Sequence, residues 1–256
     1  MRENDIKIAK PMGLTVPFKN SPVDIIIPYH GQYEKVGRLI ESILYLTKSN
    51  PFTLCLIDDF SANINFGQEL KRKIDLNLIR NEKHLGFGAS IEKGIRSTQS
   101  PWVVILHSDC VIQQKDWLLQ LGQCMLELKG RNVKLISART NLPGEGTEKC
   151  LYAKNFTEKS PHVILESGFV PFYCAIAHRN LFAQIGFPKH YYPAMYEDEE
   201  FAFRMRKNGF KQGVCGTSWI HHDGGATIEE LCKTDFRMAD FINANHEKCI
   251  KDIQRF

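Results

Sequence analysis

Nothing in this 256-residue sequence is long and apolar enough to cross a bilayer. Runs such as VVIL and III fall far short of the roughly 20 residues that a spanning helix needs. The opening MRENDIKIAK carries no apolar core of a secretory signal, so a cytoplasmic location is expected, with membrane contact at most peripheral. CxxC pairs are also missing. The eight cysteines are scattered and mostly sit inside apolar patterns, which predicts buried free thiols rather than a disulfide frame, and no structural zinc. Basic residues form no dense tract beyond LKRK (Leu70 to Lys73), and the formal charge is only +4, so a nucleic-acid partner is not indicated. Neither phosphate-loop pattern occurs: GFGASIEKG (Gly86 to Gly94) matches neither G-x-x-x-x-G-K-[ST] nor G-x-G-x-x-G. Repeats, low-complexity tracts and an interdomain linker are absent as well.

What remains is an ordinary soluble composition, 43% hydrophobic and 24% charged, on a chain long enough for one large domain. After a polar leader (residues 1–21), VDIIIPYH reads as a buried strand cut off by Pro28. YEKVGRLIESILYLTK then places apolar residues at helical spacing, and FTLCLIDDF returns to strand. The alternation continues through LNLIRN, a helix near 87–97, PWVVILHSD, a helix near 115–129 and VKLISART. Such an order predicts an α/β domain with a mostly parallel sheet and helices on both faces. Residues 141–161 are turn-rich and are expected to form a loop over a site. Shorter strands near 163–166 and 172–177 precede the acidic helix that starts at Glu197 and the strand ending WIHHDGG. The last segment (228–256), with apolar residues near Ile228, Leu231, Phe236, Ala239, Ile242, Cys249 and Ile253, is expected to dock on the core as one or two amphipathic helices.

In doubly wound sheets ligands bind beyond the carboxyl ends of the strands, and polar residues gather at those ends here. The strands finish in Asp58-Asp59, Arg80-Asn81, His107-Ser108-Asp109 and His221-His222-Asp223. Each has a plainer reading as a turn former, a helix cap or a satisfied strand-end polar group. Their convergence favours oxygen and imidazole ligands for a hard divalent cation such as Mn²⁺ or Mg²⁺. The run Glu197 to Glu200 is open to two readings. One is helix electrostatics, with acids first, Arg204, Arg206 and Lys207 last, and Gly209 as the stop. The other is a carboxylate that performs chemistry, and a helix N-terminus would keep such a group ionised.

Taken in order, VDIIIPYHGQYEKVGRLIESIL, LCLIDDFSAN, RNEKHLGFGASIEKGIRSTQSPWVVILHSDCVI, YEDEEFAFRMRKNGF and WIHHDGGAT resemble the family 2 inverting glycosyltransferases of the GT-A fold over about residues 22–227. The resemblance implies a nucleotide-sugar donor, a UDP-sugar first among candidates, a divalent metal, and a glycan or other hydroxyl acceptor. By position Pro28, Tyr29, Asp58, Asp59, Arg80, Gly86, His107 and Ser108 would line the nucleotide pocket, with one of the two aspartates reading the base. Asp109 matches the last acid of the D-x-D metal motif, and His222 the histidine before the glycine-rich turn. Asp198 matches the general base, with Glu197 its neighbour, while Glu199 and Glu200 would be solvated or capping. Two departures stand out. His107 replaces the first D-x-D acid, and Tyr196 replaces the usual glycine before Glu-Asp, where it would narrow or stack on the acceptor pocket. A nucleotidyltransferase, or a non-catalytic module binding nucleotide sugars or carbohydrate, is the alternative.

Overall fold

The computed structural model of the chain describes residues 6–9, 18–143, 149–224 and 237–255. Its sheet begins with β1 (Ile6–Ala9) and β2 (Val23–Tyr29), followed by α1 (Tyr33–Leu46), β3 (Phe52–Asp58), α2 (Asn65–Lys73), β4 (Asn77–Arg80), α3 (Phe87–Arg96) and β5 (Trp102–Leu106). Then come β6 (Cys110–Val111), α4 (Trp117–Leu128), β7 (Val133–Thr140), β8 (His162–Leu165), β9 (Cys174–His178), α5 (Arg179–Ile185), α6 (Glu197–Lys207), β10 (Lys211–His222) and α7 (Met238–Arg255).

The continuous apolar run of β2 is buried at every residue, as a strand covered on both faces must be. On α1 the residues at helical spacing, Val36, Leu39, Ile40 and Ile43, form the buried stripe. Strand order is β1-β8-β10-β7-β9-β5-β2-β3-β4, with the short β6 paired to β10. The parallel character expected from the alternation holds for β5, β2, β3 and β4, and again for β7 beside β10. Between those blocks β9 runs antiparallel to both β5 and β7, and β8 runs antiparallel to β10, so the sheet is mixed.

Two helices were not legible in the sequence. The helix α2 fully buries only Gly67 and packs just Phe66 and Leu70, half-buried, on the core, so its apolar stripe is too short to stand out, and α5 is only seven residues long. Asp24, buried at the start of β2, accepts hydrogen bonds from Ser100 N, Ser100 Oγ and Arg179 Nη2, the last at 2.6 Å. This ion pair fastens the first residues of α5 to the sheet, because a buried carboxylate without a partner would be strongly destabilising.

The acidic helix ends as the sequence predicted. Gly209 takes a left-handed φ of 72°, its N–H reaches Arg206 O and the N–H of Phe210 reaches Met205 O. Helix α7 buries Met238, Asn245 and Cys249 and docks through Asn245, whose amide donates to the carbonyls of Tyr192 (3.0 Å) and Ala194 (2.8 Å). Of the apolar positions named in the sequence, Ala239 is exposed, and Ile228, Leu231 and Phe236 lie outside the described residues. No helix among the described residues is long and apolar enough to cross a membrane.

Candidate active site

The strand-end residues do meet along one edge of the sheet. Pro28 and Tyr29 finish β2 and are buried, and the Tyr29 hydroxyl has no hydrogen-bond partner. Asp58 closes β3 in register with Arg80 at the end of β4. One carboxylate oxygen of Asp58 accepts from Ser61 N (2.8 Å), and the other is paired with the Arg80 guanidinium, which also donates to Ser61 O (2.9 Å) and lies over the exposed Phe60 ring.

Asp59 is more heavily engaged. Its Oδ1 accepts from Asn81 Nδ2 and Leu85 N, and its Oδ2 from Gly86 N, each at 2.8 Å, with His84 Nε2 a further 3.2 Å away. A carboxylate offers about four lone-pair sites, so Asp59 is spent on holding the 81–86 turn while Asp58 keeps capacity. Gly86 itself has φ +88°, and a Cβ there would sit 2.6 Å from Pro193 O, so this turn requires glycine. Next to it Phe87 N donates to Pro193 O (2.8 Å) and the Phe87 ring lies edge-on to His107 at 4.9 Å. Phe87 thereby ties the loop that precedes α6 to the end of β5.

His107, Asp109 and His222 form one group whose ligand atoms all lie within 4.8 Å of one another. His222 Nε2 is 3.3 Å and His107 Nδ1 4.0 Å from Asp109 Oδ1. The other nitrogen of His222, Nδ1, is 2.9 Å from Leu142 O, a contact that keeps a proton on Nδ1, so Nε2 faces Asp109 as a donor when the ring is protonated and as a lone pair when it is neutral. Burial alone would raise Asp109, but the hydrogen bond from His222 and the charges of both imidazoles outweigh it and hold the acid down at about 2. His107 is pushed down to about 4, chiefly by burial and partly by His222, so its imidazole is neutral near pH 7. Burial would lower His222, yet its bond to Asp109 raises it, so a cation binding here would displace a proton. An ionised carboxylate and two imidazoles, one oriented through its far nitrogen, suit a divalent transition metal such as Mn²⁺. The substitution of His107 for an acid therefore keeps a donor in place rather than removing one. Ser108, which follows His107 and precedes Asp109 along the chain, is buried.

Glu197 and Asp198 open α6. Glu197 is buried, and its Oε2 has no hydrogen-bond partner. Asp198 is half-buried, and its Oδ1 accepts the N–H of Glu199 at 2.9 Å. Both titrate well above the ordinary carboxylate range: burial is the main cause for each, joined for Glu197 by the charge of Asp198 and for Asp198 by that of Glu199. This corrects the expectation that the helix N-terminus keeps the base ionised, because desolvation of the charged form exceeds what the first-turn N–H groups return. Glu200 is corrected too. It is not solvated but buried, paired with Arg204 one turn later at 2.8 Å.

Tyr196 has φ 74°, the left-handed region that explains why glycine suits this place. Its ring stacks on His246 of α7 at 5.1 Å, so it packs on the C-terminal helix instead of lying free over the pocket. The described part of the 141–161 loop is fastened down: Asn141 Oδ1 accepts His222 N (2.8 Å), and Arg139 donates to the carbonyls of Cys150, Tyr152 and Glu158.

Sequence reasoning missed several site residues. His84 stacks on His30 at 4.2 Å and touches Tyr192, whose hydroxyl is 3.1 Å from His84 Nδ1. Lys35 and Arg38, one turn apart on α1, both reach Asp223 beside His222, and that i, i+3 spacing of bases was a readable signal.

The pattern of the family described as Glycosyl transferase family 2 matches residues 24–186, well over half of the chain. Among solved structures, the chain is similar to a mannosyltransferase from Pyrobaculum calidifontis in complex with GDP-Man and Mn²⁺ (15% identity, TM-score 0.62), covering 83% of this chain and 60% of that one. It is also similar to residues 1–349 of TarS from S. aureus, with 18% identity, TM-score 0.60 and 82% and 63% coverage. A third similarity is to GalNAc-T7 in complex with UDP, GalNAc and Mn²⁺, with 17% identity, TM-score 0.59 and 80% and 44% coverage. The chain thus spans less than two thirds of the length of these structures, and at such identities they speak for the fold, an open mixed sheet flanked by helices. No curated protein matches the chain.

Proposed function

Because the chain belongs to glycosyl transferase family 2, we propose that it transfers a sugar from a nucleotide-diphosphate sugar to an acceptor hydroxyl with inversion at the anomeric carbon, assisted by a divalent cation. The observation that carries this reading is a His107/Asp109/His222 donor set joined through Phe87, which touches His107 and bonds Pro193, to the loop that leads into two acids of raised pKa at the start of α6. Bound by that set, Mn²⁺ or Mg²⁺ would absorb charge building on the leaving diphosphate.

The chain's own residues supply the rest. Asp58, with lone-pair capacity left, accepts a hydrogen bond from the base, while Asp59 holds the 81–86 turn that borders the nucleotide. Asp198 takes the acceptor's proton. A base is most effective when its pKa lies near the working pH, and burial moves Asp198 in that direction. Glu197, with one buried oxygen unsatisfied, is the neighbour that titrates together with it. Solved neighbours in complex with GDP-Man, UDP and UDP-GlcNAc support a nucleotide-sugar donor.

A thermal-shift panel of UDP, GDP, dTDP and CDP, each with and without Mn²⁺, tests the binding half. A ligand at a hundred times its dissociation constant adds about 2.7 kcal/mol of stability. Metal-dependent stabilisation by one diphosphate is expected, and none by any of the four would overturn the reading.

A further inference from the structure

Away from the strand-end site, a second group of potential ligands comes together: Cys124 on α4, His162 at the start of β8 and Cys215 on β10. Their donor atoms lie within 4.8 Å of one another. Both cysteines are fully buried, whereas the His162 side chain is 15% exposed, so the group has a dry floor and a route in from solvent. From these three residues we propose a second metal site, one that takes a thiolate-preferring divalent cation, Zn²⁺ first, and pins α4, β8 and β10 together.

Donor chemistry separates this group from the first. Two sulfurs and an imidazole favour Zn²⁺, whereas a carboxylate with two imidazoles accepts Mn²⁺. Size agrees as well. With Zn–S near 2.3 Å and Zn–N near 2.0 Å, tetrahedral ligands stand roughly 3.5 to 3.8 Å apart, so closing from 4.8 Å or less asks for about 1 Å of side-chain movement.

The surroundings set the tautomer that a ligating histidine needs. Glu127 Oε2 stands 3.5 Å from His162 Nε2 and so favours the tautomer with the proton on Nε2. The lone pair is then on Nδ1, where without metal it accepts the N–H of Gly216, the residue next to Cys215, at 3.1 Å, so a bound cation takes that place from the backbone N–H. Glu127 is thus a positioning residue, and the fourth coordination place is left to water. On binding, Zn²⁺ displaces the thiol protons of Cys124 and Cys215, which pass to solvent; no redox change occurs.

Local backbone geometry is built around the same place. Between Cys215 and Trp219 the pairing of β10 with β7 slips its register. Inside that irregularity, a Cβ on Gly216 would lie 1.9 Å from Ser160 O, so the strand runs against the 160–162 segment and brings His162 alongside Cys215. The irregularity precedes the stretch of β10 that ends at His222, so a metal here would fix the register of the strand that delivers a ligand to the other site. CxxC spacing never appears because the three ligands come from distant parts of the chain.

The test uses Co²⁺ added to metal-free wild-type protein. Absorption from sulfur-to-cobalt charge transfer can arise only where cysteine ligates, so the His107/Asp109/His222 set cannot produce it. One cobalt per chain with that absorption is expected, displaced by an equivalent of Zn²⁺, kept in Asp109→Ala and lost in Cys124→Ser and Cys215→Ser. Should a cysteine variant fail to fold, Glu127→Gln replaces it as the readout, with cobalt affinity expected to fall about 10- to 100-fold. No charge-transfer band in the folded wild type, a band that survives both cysteine substitutions, or loss of two titratable thiols to a disulfide in the purified protein would each overturn the site.

Discussion

Asp59→Ala should damage stability far more than Asp58→Ala, although the two residues are neighbours and equally buried. Removing the Asp59 carboxylate strips acceptors from Asn81 Nδ2, Leu85 N and Gly86 N, all at 2.8 Å. Leu85 is partly exposed and its N–H can turn to water, but Asn81 and Gly86 are buried. Two buried donors left unpaired cost about 1–3 kcal/mol each, or about 2–6 kcal/mol together. Set against a typical 5–15 kcal/mol for a whole domain, that is a large share. Asp58→Ala orphans one N–H, that of Ser61, and leaves a guanidinium at 32% exposure that solvent can reach, so about 1–3 kcal/mol is expected. Asp59→Asn should not rescue, because its amide NH₂ would face the N–H of Gly86 or of Leu85. The assay is urea unfolding of the three variants beside wild type, reading the midpoint at unchanged slope. Equal midpoints for Asp58→Ala and Asp59→Ala, or an Asp59→Ala midpoint at the wild-type value, would refute the assignment of Asp59 to the framework and reopen it as the residue that reads the base.

Three further outcomes follow from the site. Asp109→Ala and His222→Ala should abolish Mn²⁺-dependent nucleotide binding while leaving the fold intact, and His107→Ala should weaken it; titration calorimetry with Mn²⁺ showing unchanged affinity in His107→Ala would return that residue to a merely spatial role. Asp198→Asn keeps shape but cannot take a proton, so turnover should fall by about 10²- to 10⁴-fold with donor affinity nearly constant, whereas Glu199→Gln should cost less than about tenfold; equal losses would mean the base has been misplaced. Since the folded pKa values of Glu197 and Asp198 are raised, their stabilising contribution is complete below the unfolded value near 4 and is lost as pH rises through the folded values. Turnover should climb over that same window as the base deprotonates, so wild type should gain activity while its urea midpoint falls, and Asp198→Asn should flatten both trends.

Much of the architecture could be read in the sequence because its causes are local. A strand buried on both faces must be apolar at successive residues, as VDIIIPY is, and a helix on a sheet must repeat its apolar residues every three or four, as α1 does. The gathering of polar residues at strand ends was legible for the same reason, since the residue after an apolar run is the one that leaves the core. The run Glu197 to Glu200 announced a helix start, and Gly209 its stop. By contrast, α2 was missed because its apolar face is only Phe66 and Leu70 about Gly67, and the antiparallel placement of β9 between β5 and β7 depends on pairing between distant segments.

What only the tertiary structure decided is which groups lose their water and which partners remain to them. Neighbouring Asp58 and Asp59 look alike in sequence, but one faces two donors and the other four because the 81–86 turn folds back onto Asp59 alone. His107 reads as a lost metal ligand until β5 and β10 bring it beside Asp109 and His222. Four consecutive acids carry the same formal charge, yet burial pushes Glu197 and Asp198 toward neutrality while Glu200 finds Arg204. Cys124, His162 and Cys215 are scattered positions until packing sets them within one ion's reach. Desolvation and coordination depend on everything that surrounds a group in space, and neighbours along the chain are only a small part of that shell.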